Sequence, residues 1–311
     1  MKKLFLFLGT ILLIVGALVI VLGVSNGNGG KSNMIEKEYD LTENFENIEI
    51  DTDTADIELL KSDVNRVEVV EREKEYHTVD VRNNKLIIKS FNLLKWYERI
   101  FYFSFKKMKV TVYLTETSFD ELKINESTGD IRISEGFKFK NANIDLSTGD
   151  VSFKANVTDT LVIDSSTGDI NVENINGKMI KLDGSTGKVE LKNCVLTDDL
   201  IISRSAGDIR LSNIRADNLK CKTSTGDYNL YDVVITNHIN IKASTGNIVF
   251  DNIDAASLYF ETSTGKVSGY LLSEKVFTVD TSTGKVNVPK TQSGGLCEVH
   301  TSTGRVDIEI K

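Results

Sequence analysis

Glu126-Ser127-Thr128-Gly129-Asp130-Ile131-Arg132-Ile133 is followed by Leu146-Ser147-Thr148-Gly149-Asp150-Val151-Ser152-Phe153. The motif does not stop there. Ser-Thr-Gly recurs with its glycine at Gly129, Gly149, Gly168, Gly187, Gly226, Gly246, Gly265, Gly284 and Gly304, and Ser205-Ala206-Gly207 fills the one gap. Successive glycines are always 19 or 20 residues apart, so the chain carries ten units in fixed phase. A period of this length is the signature of a repeat architecture and decides the fold.

Each unit has one apolar skeleton. Two residues after the glycine stand Ile131, Val151, Ile170, Val189 and their equivalents, and five before it stand Ile124, Ile144, Ile163 and Leu182. Apolar residues two apart, with β-branched enrichment, read as strands on both sides of a glycine corner. A further apolar residue lies seven after the glycine in the middle units (Ile175, Cys194, Ile214, Val233, Ile253), usually preceded by Asn, which predicts a second corner. A hairpin about each Thr-Gly would need positive φ at threonine, which is unfavourable. One coil of a parallel β-solenoid per unit explains instead why identical residues recur in columns. The fold class is therefore all-β, a single-stranded parallel β-solenoid (β-helix-like) of 19–20-residue coils preceded by one transmembrane helix. A single coil cannot bury its own apolar face, whereas stacked neighbours can. Glycine suits a corner that needs positive φ or close backbone approach, and the Ser and Thr hydroxyls are expected to serve exposed corner amides. The ten corner glycines are structural residues on this reading.

Working back toward the amino terminus, Ile48, Ile50, Ala55, Ile57 and Leu59 repeat the skeleton with Ala55 in the glycine position. Val79, Asn84, Leu86 and Ile88 are read the same way, with Asn84 at the corner. An aromatic insertion, 91–105, breaks the pattern. It includes Trp96, Tyr97, Phe101, Phe103 and Phe105 and is followed by Lys106 and Lys107. These seven residues are the candidate membrane or partner contact, since aromatics and lysines suit a lipid interface; the other role open to them is a lid over the solenoid end. Further back, Met1-Lys2-Lys3 precedes an apolar run from Leu4 to Val24 whose single polar residue is Thr10. As a helix that run spans about 30 Å, one bilayer core. The lysines keep the amino end cytoplasmic, which makes the repeats extracellular on a single-pass cell-membrane protein. A cleaved signal peptide is the alternative, although its apolar region is usually only about 7–15 residues. The organisation expected is an anchor over 1–24, a tether and lead-in over 25–43, degenerate first coils over 44–120 and regular repeats over 121–311.

Composition narrows the function. With 37 basic and 45 acidic residues the net charge is −8, so the chain has no basic footprint for nucleic acid. Its three cysteines, Cys194, Cys221 and Cys297, fall at apolar repeat positions and read as small buried hydrophobes. After each glycine comes Asp130, Asp150, Asp169, Lys188, Asp208, Asp227, Asn247, Lys266, Lys285 or Arg305. The interrupting lysine argues against a calcium column, and no metal or other cofactor is expected. Rows of Thr-Ser-Thr beginning at Thr223, Thr262, Thr281 and Thr301 could serve as a recognition surface but end in a corner. The array shows neither a nucleophile motif nor a cluster of carboxylates, so no catalytic residue is assigned.

The Ser-Thr-Gly-Asp/Lys-Ile/Val units, the lead-in Asn47 to Leu60 and the passage Val110 to Ile133 together resemble the bacterial putative-adhesin family of unknown function, a β-strand-repeat group that includes the LiaG-like membrane-anchored proteins of Gram-positive bacteria. The resemblance covers nearly everything after the anchor. It implies an extracytoplasmic solenoid of the cell envelope, linked in LiaG-like members to envelope stress, and it brings no catalytic residues. The expectation is a non-catalytic, adhesin-like binding or scaffold rod whose partners are the membrane, through its amino-terminal helix, and cell-wall polymer or another membrane protein. A polysaccharide-acting β-helix enzyme of the envelope is the alternative.

Overall fold

A computed structural model describes residues 34–94 and 107–311. The anchor over 1–24 lies outside the described residues, among which no helix is long and apolar enough to cross a membrane.

The coil follows directly from the pattern. In Lys138–Thr148 the side chains of Phe139, Ala142, Ile144 and Leu146 are buried, and after the corner Val151–Phe153 buries Val151 and Phe153. Ile144 pairs in parallel with Ile124 on one side and Ile163 on the other, as Thr148 does with Thr128 and Thr167. Each core column is thus a stack of equivalent repeat positions at about 4.8 Å per layer. The second corner has a clear cause. Asn174, Asn193, Asn213, Asp232 and Asn252 take φ of +53° to +64°, a left-handed conformation that Asn and Asp tolerate best after glycine. Asn213 and Asn193 each donate an amide hydrogen bond to the previous asparagine, at 3.0 and 3.1 Å. Cys194, Cys221 and Cys297 are buried and unpaired in the core.

The stacking order departs from the sequence order at both ends. The coil formed by Gly295–Thr303 and Val306–Ile310 sits between Ser257–Thr264/Val267–Leu271 and Lys275–Thr281/Val286–Asn287. At the other end Asn47–Thr54 and Asp56–Lys61 lie between the Gly129 coil and an outer coil made of Lys85–Asn92 and Lys109–Leu114. The first and last coils of the chain are therefore each tucked one layer in. The ten repeat coils and the two before them make a rod about 55 Å long.

The reading of Asn84 as a corner is corrected. Leu86 and Ile88 stack on Ile48 and Ile50, which lie ahead of the corner. Asn83 and Asn84, at φ +52° and +62°, instead turn the chain between the antiparallel strands Glu75–Arg82 and Lys85–Asn92. Two consecutive left-handed residues fit a tight hairpin turn, which asparagine supports. Met34–Asp40, inside the stretch read as tether and lead-in, is a strand antiparallel to Arg66–Arg72, which is in turn antiparallel to Lys109–Leu114.

Candidate functional site

The Ser-Thr-Gly column is a backbone device. Gly226 has φ +148°, and a Cβ built there would lie 2.6 Å from the carbonyl carbon of Gly207 and closer still to its oxygen. The same approach recurs from Gly149 to Gly265, each glycine against the carbonyl of the one below. Ala55 interrupts the column without positive φ; in the layer beyond it the described chain runs to Leu94 and resumes at Lys107.

The acidic column also faces inward in function. Asp150 donates its backbone N–H to the carboxylate of Asp130 at 3.1 Å, Asp169 to Asp150 at 2.8 Å, Lys188 to Asp169 at 2.8 Å and Asp227 to Asp208 at 3.0 Å. Asn247 supplies the same acceptor to Lys266 at 2.9 Å. Each carboxylate or amide oxygen thus caps the corner amide of the next layer, which the hydroxyls were expected to do. At Asp130 burial opposes ionisation, but the Asp150 amide and Arg132 outweigh it and hold the carboxyl below its ordinary value. The Ser and Thr just before each glycine are left exposed, from Ser127 and Thr128 to Ser302 and Thr303. Thr223, Thr262 and Thr301 are buried, and Thr262 donates to the carbonyl of Gly246 at 3.0 Å, so the first threonines of Thr-Ser-Thr form no surface row.

One interior group escaped the pattern. Arg204 occupies the position of those buried threonines, and its guanidinium donates to the carbonyls of Ser165 and Gly168, two layers away, at 2.9 Å each. It crosses the intervening layer over Gly184, where a Cβ would collide with it. Burial depresses its pKa, with Asp169 and Asp164 opposing. The only sequence signals are a lone glycine and a lone arginine at the same column position in consecutive units.

At the amino-terminal end, Trp96, Tyr97, Phe101, Phe103, Phe105 and Lys106 lie outside the described residues. Lys107 is described: it is exposed and its ammonium lies 3.4 Å from Asp56 and 3.8 Å from Asp130. Leu94, at the other flank, is buried beside Asp53, Thr54, Ser127 and Thr128, which with Glu75 and Asn92 line a cleft. Leu94 and Lys107 therefore stand on either side of the point where the other coils have their Ser-Thr-Gly corner. Met34 arrives nearby: it pairs with Arg72, and Leu93 donates to the carbonyl of Lys74 at 2.8 Å across the adjoining turn. Phe91 stacks on Tyr76 at 5.5 Å, and Phe91 and Leu93 are exposed. Beneath this corner Glu126 is buried. Its carboxylate accepts from Thr52 Oγ1, from the Ala55 amide at 3.2 Å and from the Thr128 amide at 3.0 Å. Burial, with Asp53 adding to it, pushes its pKa up to about 7 against those hydrogen bonds. Glu71 is buried in the outer layer between Lys37, at 2.5 Å, and His77 Nδ1, at 3.2 Å. Burial lowers the His77 pKa, so the imidazole is neutral near pH 7.

Chemically these groups are poor reagents. Burial raises the Cys194 and Cys297 thiols to about 12 and Cys221 higher still, which suppresses the nucleophilic thiolate. Lys275 lies beside Ser273, and its ammonium is paired with Asp254 at 2.6 Å. Among the described residues no group of three or more His, Cys, Asp or Glu side chains is placed to hold a metal ion.

A model of the Toastrack DUF4097 family matches residues 45–198 and again 195–311. No match was found among curated proteins. Among solved structures, the chain is similar to a putative lipid binding protein from Parabacteroides distasonis, with 20% identity, a TM-score of 0.46 and coverage of 77% of this chain and 95% of that one. It is also similar to putative adhesins from Parabacteroides merdae (15% identity, TM-score 0.47, coverage 78% and 98%) and Bacteroides fragilis (15%, 0.42, 90% and 98%).

Proposed function

The chain belongs to the Toastrack DUF4097 family, and from that premise we propose that it is a non-catalytic, adhesin-like rod of the cell envelope. Residues 4–24 hold it in the membrane with the amino terminus cytoplasmic, and the solenoid stands outside. The observation that carries this reading is the convergence at one end of the rod. Met34, where the tether joins the solenoid, meets the flank of the aromatic insertion through the Lys74 turn, and Lys107 closes the other flank at the Ala55 corner. A chain entering at Met34 and an aromatic-basic stretch between Leu94 and Lys107 support reading that end as the membrane side, with Trp96, Tyr97, Phe101, Phe103, Phe105, Lys106 and Lys107 at the lipid interface. The repeated polar residues support a structural rather than catalytic role, because the Asp column is engaged in capping amides. The remaining length is a rigid surface for wall polymer or another membrane protein.

The test is co-sedimentation of residues 34–311 with liposomes and, separately, with purified sacculi. Pelleting with liposomes, abolished by polar substitution at Trp96 and Phe101, is expected. Pelleting with sacculi alone would overturn the lipid contact and leave wall binding, and pelleting with neither would defeat both.

A further inference from the structure

We propose that the carboxyl-terminal end of the rod is a self-association surface, covered by the same end of a second copy, with the two Lys275–Thr281 strands pairing antiparallel about a two-fold axis at Thr278. The strands of the outermost coil pair on their inner side only, Lys275–Thr281 with Gly295–Thr303 and Val286–Asn287 with Val306–Ile310, and Thr291 Oγ1 of the following connector donates to the Lys275 carbonyl. Its end is apolar. Phe277, Val279 and Val288 pack on the core from one side, while Val276, Val286 and Leu296 around them are 38–41% exposed. An unpaired edge with apolar side chains is a template for another strand.

The opposite end of the rod fixes which copy-to-copy contact is open. There the outer coil is covered by antiparallel strands, and the free edges beyond carry Glu36, Lys37, Glu38 and Asp40 on one strand and Glu75, Asp80 and Arg82 on the other. Charge on an edge discourages pairing, so head-to-tail stacking is blocked and a tail can meet only a tail. Such a contact is isologous and closes at two copies.

The edge strand is self-complementary. Its seven residues have Thr278 at their centre, so an antiparallel pair about Thr278 uses the whole strand. Side-chain parity is kept: Phe277 faces the partner's Val279 on the core side, and Val276 faces the partner's Asp280 on the outer side. Lys275 does not oppose the approach, since its ammonium is buried on Asp254 within its own chain. A foreign peptide strand could cover one edge strand only. A second rod end brings both faces, so Val286 and Val288 are covered together with Phe277 and Val279. The single proline, Pro289, lies just beyond Asn287 and cannot extend that second, short edge strand. The product is a rod of double length with its two amino-terminal ends pointing apart, a geometry suited to joining two surfaces.

This deepens the proposed binding role by naming a partner, and its test reads association alone, so it can fail while lipid or wall binding stands. The two Thr278 residues would have Cα atoms about 4.5–5.5 Å apart, within disulfide reach. The full chain carrying Thr278→Cys, expressed in cells and treated with a mild oxidant, is expected to run as a covalent dimer of twice 34.6 kDa on a non-reducing gel. The native cysteines are buried and give no background. Ser224→Cys, exposed at mid-rod, should stay monomeric, and adding Val279→Asp should remove the Thr278→Cys dimer. A Thr278→Cys chain that remains monomeric, or that crosslinks to a chain of another mass, overturns the proposal.

Discussion

Gly226→Ala tests the physical basis of the repeat. The corner holds φ at +148°, and the new Cβ would sit 2.6 Å from the Gly207 carbonyl carbon and 3.2 Å from the Asp208 nitrogen. Those atoms are backbone and are themselves held by the layers around them: Gly207 donates to Thr225 at 2.9 Å and Gly226 to Thr245 at 3.0 Å. The collision cannot be relieved by a side-chain rotation. Strain at such a φ costs about 1–3 kcal/mol. Separating the layers weakens two ladder hydrogen bonds and the Asp208 cap on the Asp227 amide, each worth about 1 kcal/mol. The sum is roughly 4–6 kcal/mol. Denaturant titration followed by circular dichroism reads this as a lower midpoint. A repeat array has mainly nearest-neighbour coupling, so a split into two transitions would carry the same meaning. The control is Ser224→Ala at the exposed position two residues earlier, expected within about 0.5 kcal/mol of the parent. A Gly226→Ala chain that unfolds as late as that control would refute the corner argument.

The other predictions concern single groups. Glu126 titrates near 7 in the folded chain against an ordinary 4.5, so the folded state holds the proton more tightly. Its contribution, on the order of 3 kcal/mol, is complete below about pH 4.5 and is lost as pH rises through 7; Glu126→Gln should flatten the stability slope between pH 5 and 8. Asp169→Ala should cost about 1 kcal/mol by uncapping the Lys188 amide, whereas Asp169→Asn should retain most of it, as Asn247 does for Lys266; matched losses in the two variants would show that the cap contributes nothing. Arg204→Ala should cost about 3 kcal/mol or more in thermal or urea unfolding, since it strips the Ser165 and Gly168 carbonyls of a charged partner, and Gly184→Ala should be similarly harmful because its methyl would occupy the guanidinium's path.

Most of the rod was legible because a solenoid repeats its physics at every layer. A position that faces the core in one coil faces it in all, so Ile124, Ile144 and Ile163 announce one column and Asn174, Asn193 and Asn213 announce the second corner. The illegible parts are those in which identical columns carry no information. Gly265, Gly284 and Gly304 are evenly spaced, and nothing in that spacing says that the Gly304 coil lies between the other two. Asn84 mimicked a corner because a hairpin turn and a solenoid corner make the same demand for positive φ. The Asp column looked like a ladder of repelling charges; its role emerges only when each carboxylate is seen against the amide one layer on. Arg204 and Gly184 act across two layers, beyond the reach of any nearest-neighbour pattern.

The tucked coils at both ends answer a problem that every solenoid faces. Stability in a stacked array is a sum over neighbouring layers, and a terminal layer has only one neighbour, so ends fray first. Here the first coil, Asn47–Lys61, and the last, Gly295–Ile310, are each bonded on both sides. The coils stacked outside them, Lys85–Asn92 with Lys109–Leu114 and Lys275–Thr281 with Val286–Asn287, are instead drawn from the sequence between those two coils. Peeling the outer coil at the carboxyl end leaves its residues tethered between Leu271 and Gly295, and loop-closure entropy limits what such a release gains. The two ends are then finished differently. The amino-terminal end is closed with antiparallel strands and charge, and the carboxyl-terminal end keeps its parallel edge and apolar side chains open. Since fraying is already countered by the tucked last coil, an open edge there costs little in stability of the single rod and leaves the edge free for contact with a second one.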